Sequence, residues 1–216
     1  LCESYAKAGI VEMAEKMNLS GIKGIMYRAG ESLVKTGARE PLDLNRIPFC
    51  YGGVEDFRNR IIYYESSRGC PFRCSYCLSS VEKTLRFRDV ERVKKELAFF
   101  LEQEVAQVKF VDRTFNCRHE HAMEIWKFLI EHDNGVTNFH FEISADLLTD
   151  EEIALIGQMR PGLIQLEIGV QSTNDATITE IHRTMQLDRL KAVVRSIQEK
   201  ENIHEHLDLI AGLPYE

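Results

Sequence analysis

No apolar run in the 216 residues approaches the ~18 that a membrane-spanning helix requires, so the chain reads as soluble. Positive charge is in deficit: 27 Lys and Arg stand against 34 Asp and Glu. The net charge of −7 repels a polyanion, and nucleic acid is not an expected partner. No charged and then apolar leader heads the sequence. Six cysteines in such a chain argue against a secreted disulfide framework and for a reducing, cytoplasmic setting. The hydrophobic share of 44% and charged share of 28% are those of an ordinary globular domain.

Three of the six cysteines crowd into "RGCPFRCSYC", where Cys70, Cys74 and Cys77 fall within eight residues and no histidine is near. That clustering points to a metal or redox site. The thiolate is a soft ligand, which selects zinc, copper(I) or an iron-sulfur cluster. Closed zinc sites need four ligands, and Cys50 is the nearest upstream sulfur that could complete one. A cube held by three cysteines keeps one iron open and has no need of Cys50. Both readings stand at this point. Pro71, Arg73 and Ser75 make the stretch a polar loop rather than a core strand.

From residue 58 the pattern alternates strand and helix. Strands are expected at 58–67, 106–112, 138–144, 163–170 and 206–214. Between them, helical periodicity runs through 89–104, around Met123 to Ile130, from the capping box "TDEE" at 149–152, and through 187–200. Strands joined by helices imply βαβ units, right-handed crossovers and a parallel sheet, either doubly wound or most of a βα-barrel. Ligand chemistry then belongs at the carboxyl ends of the strands.

Residues 1–57 differ. A helical pattern at 3–18, a short hairpin or strand at 21–28, and a Pro- and Gly-punctuated connector at 40–53 read as the tail of an upstream domain plus a linker. Residues 58–216 read as a core truncated at its C-terminal end, within a longer gene product. The basic stretch "KTLRFRDVERVKK", with six basic against two acidic residues, reads as a solvated helix face. His119 and His121 beside Cys117, and His204 with His206, are isolated pairs to which no role is assigned.

The Cys-x3-Cys-x2-Cys spacing, with aromatic Tyr76 just before the last cysteine, resembles the radical S-adenosylmethionine (SAM) superfamily. "LEIGVQSTNDATITEIHR" and "HLDLIAGLP" resemble its oxygen-independent coproporphyrinogen dehydrogenase branch, and the match covers residues 60–214, about seven tenths of the chain. The resemblance implies a partial, incomplete TIM-like βα-barrel. It implies a 4Fe-4S cluster on Cys70, Cys74 and Cys77, whose open iron takes SAM for reductive cleavage to a 5'-deoxyadenosyl radical. It further implies Glu142 and Gln171 near the SAM ribose, Arg183 on the methionine carboxylate, Asp208 in the same polar wall and Tyr76 near adenine. An electron donor such as flavodoxin or ferredoxin and a small-molecule substrate come with it.

The chain also resembles the subgroup that carries a cobalamin domain, including magnesium-protoporphyrin monomethyl ester oxidative cyclases, methyltransferases and methylthiotransferases. The Asp-x-His-x-x-Gly cobalamin segment is absent here, so cobalamin would enter only through a domain outside this chain. The family's Gly-Gly-Glu-like segment is replaced by "FVDRTFN", which leaves Asp112, Arg113 and Thr114 in its place. The contrasting expectation is a zinc-stabilised, non-catalytic α/β binding module with Cys50 as fourth ligand.

Overall fold

The computed structural model describes residues 19–52, 60–81 and 84–216. The helix expected at 3–18 therefore lies outside the described residues, as do Lys83, the last residue of the 40–53 connector and the first two residues of the strand expected at 58–67. The chain divides into two compact units, Leu1–Pro48 and Phe49–Glu216.

In the first unit, β1 (Met26–Ala29) pairs antiparallel with β2 (Ser32–Lys35). Gly30 at φ +62° turns the hairpin, a left-handed conformation that glycine adopts without steric cost. Ile22 and Leu44 are its buried apolar side chains.

In the second unit, five parallel strands form one sheet: β3 (Ile61–Tyr64), β6 (Gln107–Phe110), β7 (Asn138–Ile143), β8 (Ile164–Gln171) and β9 (His204–Leu209). Their spatial order follows their chain order without reversal. A doubly wound sheet reverses at a switch point, so this order decides for the barrel arrangement. Among the described residues the arc stays open, with β3 and β9 at its edges. A two-residue ladder, β4 (Ser67–Arg68) with β5 (Arg86–Phe87), stands apart from the sheet.

Among the described residues the α-helices are α1 (Val90–Glu102), α2 (His119–Glu131), α3 (Asp150–Ile156), α4 (Asp175–Glu180) and α5 (Leu187–Gln198). Asp89 caps α1 by accepting from Arg92 N–H. The capping box closes as expected: Thr149 Oγ1 accepts from Glu152 N–H at 3.2 Å, and Glu152 Oε2 accepts from Thr149 N–H at 2.8 Å. The short α4 was not visible as a periodic segment; Asn174 caps it by accepting from Ala176 N–H.

One face of the sheet is apolar. Val108, Phe110, Phe139, Phe141, Leu166 and Ile168 are fully buried, packed with Leu97 and Phe100 of α1 and Ile125, Trp126 and Leu129 of α2. Each such burial contributes ~1.5–3 kcal/mol. The alternation expected of strands is complete in β8, where buried and half-buried residues alternate along all eight positions. The other face therefore carries Lys109, His140, Glu142, Gln165, Glu167 and Gln171, which line the inside of the arc.

Two strands are shorter than their sequence suggests. Within its described part, the expected strand 58–67 is regular over Ile61–Tyr64 and stops there because Ser66 N–H turns to a side chain, Asp112, instead of a neighbouring strand. The expected strand 206–214 runs from His204 to Leu209 and then turns, with Gly212 at φ +84°. The basic stretch is corrected more sharply. Arg88 is buried, and its Nε and Nη2 donate to Glu96 at 2.8 and 2.5 Å, while Tyr64 Oη donates to the same carboxylate at 2.7 Å. Lys94 pairs with Glu91 and Glu124. A buried guanidinium demands such a partner, which is why the charges of this stretch do not all face solvent.

Candidate functional site

The cysteine loop stands on a stalk. β3 delivers the chain to Ser66 and Ser67, β4 and β5 pair across the base, and residues 69–85 form the loop above it. Gly69 sits at φ +101°, and a Cβ there would lie 2.5 Å from Thr84 O. Only glycine fits this turn into Cys70. Above the base, Cys77 N–H donates to Cys74 O at 3.1 Å, and Ser80 N–H and Oγ both donate to Cys77 O. Ser75 N–H donates to Ile181 O at 2.9 Å, which pins the loop to the end of α4.

Cys70 and Cys77 are half-buried and Cys74 is buried. Thr114 Oγ1 contacts Cys70 Sγ at 3.7 Å, and Arg183 Nη1 lies 4.0 Å from Cys74 Sγ. Tyr76 is part of the same group. Its phenol is pushed up to about 12, first by burial and then by the neighbouring Cys74 thiol, with Arg183 acting in the opposite sense.

Among the described residues, no three His, Cys, Asp or Glu side chains converge on a point that a single ion could occupy. A tetrahedral zinc needs its sulfurs all ~2.3 Å from one centre. A cube binds each cysteine at a separate corner iron, so it asks for a local triplet and not for convergence. Cys50 is exposed and joins no such group. The three thiols, held on a polar loop with one shielded and two half-accessible, fit the cube.

Beside the loop, at the carboxyl ends of the strands, lies a cavity of about 130 Å³. Glu142 from β7, Gln171 from the end of β8, Arg183 from after α4 and Asp208 from β9 all line it. The structure thus gathers four of the five SAM-contact candidates on one wall. Tyr76 stands outside it, on the cysteine side of Arg183. Thr114 also lines the cavity, so both it and Arg183 bridge the cavity to a cysteine. Arg113 separates this space from a second cavity of about 370 Å³ against the stalk, lined by Glu65, Arg68, Gly69 and Leu78 among others.

The wall is held by local strain and by charge. Gln171 has φ +70°, unusual for a residue with a side chain, at the bulge after Gly169 where the β8–β9 register shifts. Its amide folds back over Gly169: a Cβ on that glycine would lie 2.2 Å from Gln171 Nε2. Arg183 Nη2 donates to Gly169 O, while its Nε is buried and has no hydrogen-bond partner. That leaves a guanidinium edge available to a ligand carboxylate.

Glu167, which the sequence reading did not single out, lines the cavity next to Glu142. Lys109 Nζ lies 2.9 Å from Glu167 and 3.7 Å from Glu142. Burial, and then the facing Glu167, hold the Glu142 carboxyl above its ordinary value, with Lys109 opposing both. Strict alternation along "LIQLEIGV" was the signal that could have found Glu167, since it shares the face of Gln171.

Of the replaced Gly-Gly-Glu segment, Arg113 and Thr114 reach the cavity and Asp112 does not. The histidines separate: His119 bonds Glu152 on α3, while His121 bonds Ser66. His204 and His206 face each other, Nε2 to Nε2, at 2.8 Å.

Residues 64–216 match the radical SAM superfamily profile. The chain belongs to the radical SAM superfamily. It is 25% identical over 206 residues to the anaerobic magnesium-protoporphyrin IX monomethyl ester cyclase of Rubrivivax gelatinosus, covering 90% of this chain and 37% of that protein. It is 26% identical over 226 residues to the cobalamin-dependent radical SAM methyltransferase TokK of Streptomyces tokunonensis, covering 94% and 32%. Among solved structures, the radical SAM methyltransferase TsrM of Kitasatospora setae, with cobalamin and a 4Fe-4S cluster bound, superposes with a TM-score of 0.81. That match is 16% identical and covers 99% of this chain and 46% of TsrM, a likeness of fold. The chain thus spans about a third of these curated relatives. Among the described residues no helix is long and apolar enough to cross a membrane.

Proposed function

We propose that residues 58–216 are the SAM-cleaving core of a larger radical enzyme, with 1–57 as an upstream tail and linker. Cys70, Cys74 and Cys77 would hold three irons of a 4Fe-4S cluster, and Arg183, Glu142 and Gln171 would hold SAM against the fourth. When bound, the reduced cluster supplies one electron that breaks a carbon-sulfur bond of SAM, giving methionine and the 5'-deoxyadenosyl radical.

The observation that carries this reading is one wall: four residues from three strands and a loop line a single cavity that reaches two of the three cysteines through Thr114 and Arg183. Arg183 offers a flat donor edge to the methionine carboxylate. Glu142 accepts from vicinal ribose hydroxyls, and Lys109, which also pairs with Glu167, opposes the burial and the Glu167 charge that raise the Glu142 pKa. Phe72 of the cysteine loop lines the same cavity and adds an apolar side chain to it. Asp208 extends the polar wall and Tyr76 faces the adenine side.

The proposed reaction is oxidative cyclisation or methyl or methylthio transfer on a tetrapyrrole or another small molecule. A flavodoxin or ferredoxin donates the electron, and the setting is cytoplasmic. Anaerobic reconstitution with iron and sulfide, followed by metal analysis, electron paramagnetic resonance and chromatography for 5'-deoxyadenosine, tests the core of it. The expected result is a reducible cluster that cleaves SAM and survives Cys50→Ala. One zinc without acid-labile sulfide, lost in Cys50→Ala, overturns it in favour of a zinc-stabilised binding module.

A further inference from the structure

We propose that Asp112 is the positioning residue of the cysteine loop: its carboxylate clamps Ser66 and Ser67 to the end of β6 and so sets the direction in which Gly69 and Cys70 leave the sheet. This rests on the reading of that loop as the cluster site.

Asp112 is fully buried, and a buried carboxylate persists only where donors replace water. It has three, all from Ser66 and Ser67, where the chain enters the loop stalk. Oδ2 accepts from Ser66 N–H at 2.9 Å, and Oδ1 accepts from the Ser66 and Ser67 hydroxyls at 2.7 and 2.6 Å. The return arm of the loop meets the same place, because Arg88 N–H donates to Ser66 O at 2.8 Å. With the Ser66 hydroxyl hydrogen used on Asp112, His121 Nε2, 3.1 Å away, is the donor to Ser66 Oγ. Every polar group of Ser66 is thus engaged, and two of those engagements end on Asp112.

Two residues on, Thr114 touches Cys70 Sγ. The segment 112–114 therefore grips the loop twice, at its root through Asp112 and at its first thiol through Thr114. This gives "FVDRT" a task different from direct contact with SAM. Asp112 itself has no free oxygen directed at the cavity, whereas Arg113 and Thr114 do line it.

The test uses the full chain in its iron-free and reconstituted forms. In iron-free protein, the alkylation rates of Cys70 and Cys77 are read by peptide mass spectrometry, with circular dichroism checking the fold. Asp112→Asn places an amide against Ser66 N–H and two hydroxyls. It is expected to raise Cys70 labelling roughly tenfold and leave Cys77 unchanged. In reconstituted protein, iron loss to a chelator quickens by a similar factor, and the resonance spectrum of the reduced cluster changes shape. Thr114→Val is expected to raise Cys70 labelling by a smaller factor without moving the thermal midpoint.

Equal rises at Cys70 and Cys77, or none at either, overturn the proposal. If Asp112→Asn fails to fold, Ser66→Ala and Ser67→Ala carry the same measurement: a selective rise at Cys70 supports the clamp, and wild-type rates at both thiols overturn it. If wild-type protein takes up no iron and sulfide, the cluster reading fails while the labelling still decides on Asp112.

Discussion

The two faces of the five-stranded sheet are built from the same strands and answer opposite demands. On the outer face, Phe110, Phe141 and Ile168 are fully buried within one apolar cluster that includes side chains of α1 and α2. On the inner face, Lys109, Glu142, Glu167 and Gln171 keep partial exposure and meet charge. The alternation of strand side chains separates stability from chemistry by a single residue of register. Changes on the outer face should cost folding, and changes on the inner face should cost binding.

The largest expected effect comes from the outer face. Phe141→Ala removes a ring packed on Phe110 and Phe115 at 4.5 and 4.3 Å between centroids, and should cost about 3–5 kcal/mol in urea unfolding. A loss below about 1 kcal/mol would break the contrast. Next, Arg183→Lys keeps the charge and loses the planar fork. SAM affinity, measured by calorimetry on reconstituted protein, should fall roughly tenfold while the unfolding midpoint stays nearly in place. Equal losses in binding and stability would show that Arg183 mainly holds Gly169.

Glu205 sharpens the comparison, because it lies in β9 on the face shared by Leu207 and Leu209 and not by Asp208. Both its carboxylate oxygens are buried without a partner among the described residues, and burial raises its pKa to about 7 from 4.5. The native chain therefore holds this proton more tightly than the unfolded chain. Its contribution to stability is complete below about pH 4.5 and is lost as the pH rises through about 7. Glu205→Gln should flatten that slope and stabilise the protein at pH 8 by about 1 kcal/mol, discounted for solvent access. Thermal melts from pH 5 to 8 read it, and an unchanged slope would move the titration elsewhere. The smallest effect is expected from Cys50→Ser: no change in iron content or melting temperature beyond about 1 °C.

What the sequence made legible was local or periodic. The three thiols lie within one loop, and Glu142, Gln171 and Asp208 were singled out by the family resemblance of the short segments around them. The parallel sheet and the capping box at Thr149 follow from patterns within a dozen residues. What stayed hidden was long-range. Asp112 meets Ser66 across 46 positions, and Tyr64 meets Glu96 across 32. No period marks a ladder as short as β4 with β5, nor the reversed φ of Gln171, which its neighbours impose. Arg88 looked like a surface charge because the carboxylate that buries it, Glu96, lies about two helical turns beyond the Asp89 cap.

The short ladder under the cysteine loop also bears on local opening. Two residue pairs close a span of seventeen residues, and Ser66 and Arg88 secure its feet to the sheet independently of anything the loop later carries. Opening the ladder disturbs none of the five parallel strands, so its free energy lies well below that of global unfolding. The loop can therefore loosen locally while the sheet beneath it stays folded.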